Sequence, residues 1–241
     1  MSRLLFDDHA RLLRRDRAAR LNGDLFLYDR AFDDCRDRLA DIRVEFTSAL
    51  IDGRANGHCR DSLAAIVPQV IAADPASVAP QSFDVCLSIG QLETNNDVQA
   101  AAFVLRQSLR PGGLLIGAIV GGNSLPLLRA TMLAADRTEG GVAPRLHPSI
   151  DGPSLAKLLT SVGFIEPVID VDRVDVAYPD LDRLVGDLRA MGCTNVLAER
   201  SRRPITRRGL NAARLAFLGG GGGPSIERFE LLHFAAWSPT D

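Results

Sequence analysis

The chain has 241 residues, 46% of them hydrophobic and 24% charged, with a formal net charge of −2. This is enough for one sizeable α/β domain and excludes a fibrous or disordered polypeptide. The near balance of charge offers no global attraction to nucleic acid or acidic lipid, and the longest apolar runs, such as LLIGAIV at 114–120, are too short to span a bilayer.

The N-terminal stretch MSRLLFDDHARLLRRDRAAR has no apolar signal-peptide core, and its interspersed aspartates argue against a transit peptide. The cytoplasm is the expected compartment. Residues 3–21 read as an amphipathic helix, with Leu4, Leu5, Leu12 and Leu13 forming its apolar face and Arg11, Arg14, Arg15, Arg17 and Arg20 mostly outside. A second helix is expected over 26–42, with Phe26, Tyr28, Phe32, Leu39 and Ile42 as candidates for burial. FTSALI is a strand ending at Asp52-Gly53, SLAAIV a short helix and QVIAAD a second strand. FDVCLSI at 83–89 is a nearly continuous apolar strand, as expected when both sheet faces are covered. A helix follows over 97–109, closed by Arg110-Pro111-Gly112-Gly113, and LLIGAIV is the next buried strand.

The alternation continues in the second half. Helices are expected over 124–138, with Ser124 as N-cap, and over 151–164, with Pro153 at its start and Gly163 at its end. EGGVAPRLHPS is the loop between them. EPVIDVDRVDVAY is a strand, residues 180–192 and 207–218 are helices, Gly219–Gly223 is a connector, and IERFELLHFAAW is the last strand. Strands alternating with helices imply a mostly parallel, doubly wound sheet. No internal repeat or clean boundary is visible, so the expectation is a single domain over 1–241, with a helical arm over 1–43. Cys35, Cys59, Cys86 and Cys193 form no CxxC pair, and the four histidines are scattered, so no metal site is expected.

Together, FDVCLSI and VLRQSLRPGGLLIGAI resemble the fourth and fifth strands, with their intervening helix, of class I S-adenosylmethionine-dependent methyltransferases. IGAIVGGNSLPLLR, EGGVAPRLHP, YPDLDRLVGDLRAMGCTN and FDDHARLLRRDRAA narrow the resemblance. They are similar to a subfamily that includes the methyltransferase-fold assembly factor of mitochondrial complex I and bacterial methyltransferases of biotin synthesis. The resemblance implies a Rossmann-like fold with an antiparallel C-terminal strand. It also implies S-adenosylmethionine as cofactor.

In that family the first strand ends in a pattern like Leu-Asp-Leu-Gly-x-Gly-x-Gly. Here Gly53 and Gly57 keep the outer glycines, Ala55 stands for the middle one and Ile51 for the acid. Asp52 is one residue out of register, which turns it to the opposite sheet face. Only 17 positions separate Gly57 from Asp74, the counterpart of an adenine-side acid. A βαβ unit takes roughly 30 residues, so one early strand–helix pair is expected to be missing, and with it the acid that grips the ribose. Glu93 and Thr94 stand where the family often has an aromatic pair, and Asn96 and Asp97 fit a helix N-cap.

Asp52, Gly53, Ala55, Gly57, Asp74 and Ser88 are the candidate cofactor-lining residues. The expected function is a scaffold or assembly factor with weakened or lost cofactor binding and a protein partner of the respiratory-complex assembly type. The N-terminal arginine helix, as a lid or partner-binding arm, and the EGGVAPRLHP loop with Arg145 and His147 are the candidate contact regions, or plain solvent-facing residues. The alternative is an active methyltransferase on a small molecule or protein. Arginine hydroxylation ranks last, since it needs a metal or redox partner. Nucleic-acid binding through ERSRRPITRR is a weaker reading than a solvated loop.

Overall fold

A computed structural model describes residues 4–21, 23–53, 57–219 and 223–240. Its strands are β1 (Ser48–Gly53), β2 (Gln69–Ala72), β3 (Phe83–Ile89), β4 (Leu109–Val120), β5 (Ile165–Tyr178) and β6 (Ser225–Trp237). Its α-helices are α1 (Asp8–Leu21), α2 (Phe26–Asp41), α3 (Gly57–Ala64), α4 (Val98–Ser108), α5 (Pro126–Glu139), α6 (Gly152–Ser161), α7 (Leu181–Ala190) and α8 (Arg207–Leu218). The six strands form one sheet in the order β2-β1-β3-β4-β6-β5. β1, β2, β3 and β4 pair in parallel, and β6 runs antiparallel to β4. The fold is therefore Rossmann-like, mostly parallel, with an antiparallel C-terminal strand. No strand lies outside β2 among the described residues, as a missing early strand–helix pair requires. No helix of the described residues is long and apolar enough to cross a membrane.

The chain divides into two compact units. One comprises Phe26–Gly122, Ser149–Asp172 and Glu230–Asp241. Here β3 and β4 bury both faces. One face packs Cys86, Leu115, Leu232 and Phe234 against α4 and α6, through Ala102, Leu105, Leu155 and Leu159. α2 packs against β3 and β4, burying Leu27, Ala31, Phe32, Cys35 and Leu39, whereas Phe26, Tyr28 and Ile42 are only half-buried. α3 begins five residues earlier than the sequence suggests, at Gly57. Asp97 caps α4, accepting from the Ala100 N–H at 2.9 Å.

At the N-terminal ends of the strands sits a carboxylate clamp. Asp84 Oδ2 accepts from the Thr47 N–H (2.9 Å), the Thr47 hydroxyl (2.6 Å) and the Ser48 N–H (3.0 Å), and Oδ1 accepts from Arg110 at 2.6 Å. The Phe-Asp start of β3 and the Arg-Pro-Gly-Gly start of β4 are thus two halves of one joint. The arginine of the second reaches the aspartate of the first.

The other unit comprises residues up to Leu25, Asn123–Pro148 and Arg173–Phe229. Its α1 corrects the sequence reading. The helix buries Ala10 and Ala18, while Leu4, Leu5, Leu12 and Leu13 face solvent. The reason is tertiary: Phe6 bridges to Leu197, Asp7 accepts from Arg200 at 2.9 Å, and Arg14 donates to Thr194. These contacts rotate the small residues inward. A second correction concerns α5. Its N-cap is Leu125, in the left-handed region at φ 60°, not Ser124. The unpaired first-turn N–H groups of Leu127 and Leu128 are taken by the fully buried Glu227 carboxylate of β6, at 3.1 and 2.7 Å.

The EGGVAPRLHP loop is pinned rather than free. Arg145 pairs with the buried Asp136, and the Ala143 N–H donates to the same carboxylate at 3.1 Å. His147 Nε2 accepts from the Val196 N–H at 2.9 Å, and its ring meets Phe6 edge-on, 5.4 Å between centroids. Burial, helped by the nearby Arg14 charge, lowers the His147 pKa to about 4. The folded state therefore holds this imidazole neutral, while the unfolded chain protonates it near the ordinary value of about 6.5. Stability from this group is complete above that value and lost as pH falls toward 4, amounting to up to about 3 kcal/mol. Denaturation between pH 7 and 4 is expected to show this slope in the wild type and a flatter one in His147→Gln, whose amide oxygen still accepts from Val196.

Candidate cofactor crevice

The C-terminal ends of β1, β3 and β4 form the edge at which ligands bind in open α/β sheets. β1 and β3 are in register so that Asp52 lies beside Ser88 and Gly53 beside Ile89. The buried Ser88 hydroxyl donates to Asp52 Oδ2 at 2.9 Å. This pair lies on the α4–α6 face of the sheet, the face of Cys86 and Leu50. The fixed carboxylate adds to burial in pushing the Cys86 thiol well above its ordinary range.

Gly53 has φ +112°, a backbone conformation open to glycine. A Cβ there would meet the Ile89 carbonyl at 2.4 Å and Gln91 Cγ at 2.9 Å. The Gln91 side chain thus lies directly against the start of the loop. At the end of β3, Gly90 (φ +67°) is covered by the ring of Tyr28 from α2, whose carbon would lie 2.2 Å from an added Cβ. Neither Gln91 nor Tyr28 stands out in the sequence as part of this edge. Both act through the close approach that a glycine permits.

The remaining candidates are placed as follows. Gly57 is the first residue of α3, and Ala55 lies outside the described residues. Asp74 follows β2, and its exposed side chain caps the 3-10 turn at Pro75–Ser77, accepting from the Ala76 N–H at 2.9 Å. Gly53, Asp52 and Ser88 are therefore brought together, and Asp74 is turned to a local capping task. One further polar group lies on the opposite, α2 face. His233 of β6, paired with Ala118, is buried with Nδ1 2.9 Å from Asp34 Oδ2, and burial lowers its pKa despite the opposing Asp34 charge. Asp34 in turn pairs with Arg38 at 2.6 Å, and Arg38 with Asp170. A lone strand histidine carries no sequence motif, and its partner lies about 200 residues away on α2.

S-adenosylmethionine needs a glycine cradle for its methionyl end and an acceptor for its ribose hydroxyls. The Gly53 turn fits the first need. For the second, β2 is the strand beside β1, and Asp74 follows its end 17 residues after Gly57, where such folds place the ribose acid; its Oδ1 accepts the Ala76 N–H. The residues present fit the ligand in part.

Fold and crevice together define the class: a Rossmann-like α/β protein of the methyltransferase type. No family model matches the chain. The arginine-hydroxylase NDUFAF5, mitochondrial, of Danio rerio is 33% identical over 165 residues, which are 66% of this chain and 51% of that protein. The malonyl-[acyl-carrier protein] O-methyltransferase of Xylella fastidiosa is 35% identical over 166 residues, 68% of this chain and 54% of that protein. A solved Burkholderia thailandensis 1,6-didemethyltoxoflavin-N1-methyltransferase, with bound 1,6-didemethyltoxoflavin and S-adenosylhomocysteine, superposes with a TM-score of 0.54 over 99% of this chain and 93% of that one, at 14% identity. The chain belongs to the class I methyltransferase superfamily, in the branch of these two relatives. It spans about half the length of the curated relatives it matches.

Proposed function

We propose that this protein keeps the methyltransferase fold but binds S-adenosylmethionine weakly or not at all, and acts as a scaffold or assembly factor for a protein partner. The observation that carries this reading is the Gln91 side chain, which stands against the Gly53 turn where the methionyl end of the ligand would sit. The sheet also ends at β2, with no outer strand among the described residues to present an adenine-side acid. Asp74, at the end of β2, commits one carboxylate oxygen to its own cap, so one charge-assisted hydrogen bond of roughly 1.5–3 kcal/mol to the ribose is forgone, about one to two decades of affinity. The partner, by resemblance to the assembly-factor subfamily, is of the respiratory-complex type.

A second reading is an active methyltransferase, favoured by one feature: the positive φ of Gly53 and the Asp52–Ser88 pair preserve the shape of the loop's first turn. The two separate in a thermal melt. A ligand with a Kd of about 10 µM, added at about 1 mM, stabilises by about 2.7 kcal/mol and raises Tm by about 5–11 °C. No shift is expected with S-adenosylmethionine. A shift of that size favours the transferase.

A further inference from the structure

The small net charge conceals a sharp division. The unit containing α1 carries nineteen arginines against twelve carboxylates, net +7, and the unit containing α2 carries nine basic against eighteen acidic residues, net −9, which together restore the −2 of the whole chain. Each unit also exposes aliphatic side chains. In the basic unit, Leu4, Leu12 and Leu13 are 59%, 57% and 55% exposed. The same unit exposes Arg17 and Arg20 on α1 and, beyond it, Arg202 and Arg203, with Arg202 3.5 Å from Asp7. A helix that buries alanines and shows leucines to water is costly unless something covers it.

In the acidic unit, β2 is the open sheet edge, four residues long with no charged side chain to blunt it. Ile71 on β2 is 49% exposed and Val44 51%. The Thr47–Gln69 hydrogen bond (3.1 Å) brings their two segments together. Exposed Asp33, Asp37, Asp41, Glu45 and Asp61 accompany them on α2, α3 and the 42–47 segment, outnumbering the cations there, Arg36, which pairs with Asp33 and Asp37, and the exposed Arg43 and Arg60.

We infer that these are two halves of one heterologous contact: the leucine-and-arginine surface of α1 binds the acid-rimmed β2 edge of a second copy of this chain. Charge complementarity selects the partner, since the anionic, apolar-bearing surface that α1 requires is present in the same sequence. Aliphatic side chains on both surfaces disfavour nucleic acid. A heterologous contact adds copies head to tail, and closes into a ring or continues as a chain. This inference is independent of cofactor binding.

Sedimentation velocity at low salt is expected to show association beyond the monomer, weakening at least about tenfold in Kd at about 0.5 M salt. The variant Leu12→Glu/Leu13→Glu and the variant Ile71→Glu each change exposed side chains. Each alone is expected to remain a folded monomer by circular dichroism. Mixed in equal amounts, they should form a 1:1 dimer, because each supplies the half the other lacks. Arg17→Glu/Arg20→Glu gives the same outcome as the leucine variant without touching an apolar residue. A monomer at about 100 µM in low salt, or a mixture that stays monomeric, overturns the inference. So does a wild-type monomer that floats with phosphatidylcholine–phosphatidylglycerol vesicles while the leucine variant does not.

Discussion

Replacing Asp84 with alanine is expected to destabilise the acidic unit by about 1–3 kcal/mol, the cost of leaving the buried Ser48 without its charged acceptor, since Asp84 is part-buried and Arg110 is exposed. Its carboxylate satisfies Thr47 and Ser48 at the start of β1 and the Arg110 guanidinium at the start of β4. Without it, those donors lose their acceptor and Arg110 is left half-exposed beside the Ser48 hydroxyl alone. Burial by itself would raise the Asp84 pKa. The hydrogen bonds from Thr47, Arg110 and Ser48 outweigh it and hold the group well below the usual carboxylate range. A depressed folded pKa stabilises at every pH above the unfolded value of about 3.9 and is lost as acid protonates the group. Chemical denaturation should therefore show the full difference between wild type and Asp84→Ala at pH 7, shrinking below about pH 4. Asp84→Asn should lie between them, because one amide oxygen still accepts.

The second large effect is expected at Glu227. This fully buried carboxylate accepts from the Leu127, Leu128 and Arg228 N–H groups at 3.1, 2.7 and 3.0 Å. It replaces the side-chain cap that Leu125 cannot provide, and its negative charge faces the positive end of the α5 dipole. Glu227→Ala leaves buried helix donors unsatisfied, at about 1–3 kcal/mol each, so a loss of about 3 kcal/mol is expected in denaturant titration. Glu227→Gln should recover part of it, since one oxygen remains to accept from Leu128.

The elements of this fold could be read along the chain because their signals are local. The apolar run of β3, the Pro-Gly-Gly entry to β4 and the Asp97 cap of α4 depend on neighbours a few residues away. What could not be read there depends on partners far along the chain. Leucine pairs at 4–5 and 12–13 fit either face of a helix equally, and the choice is made by Leu197 and Arg200, nearly 200 residues downstream. The cap of α5 comes from Glu227, about 100 residues away, so Ser124 is a reasonable local guess that tertiary contact overrides. The EGGVAPRLHP loop carries arginine and histidine that suggest an exposed contact surface, yet Asp136 and Val196 turn both inward to structural work. In the crevice, Asp52 and Ser88 are candidates from their places near the ends of β1 and β3, and the register of those strands sets them side by side. Gln91 and Tyr28 are not, because their roles follow from space beside Gly53 and Gly90.

In this fold the frame and the grip on a ligand are separate. The frame is intact: four parallel strands, a glycine turn at the end of the first, and a helix following it. The proposed loss lies in the grip on the nucleoside, at the capped Asp74 and at the Gln91 side chain beside Gly53. Calorimetric titration of S-adenosylhomocysteine into the full chain tests this most directly. The prediction is no saturable heat up to about 1 mM ligand, and a stoichiometric isotherm with a Kd below about 10 µM would contradict it.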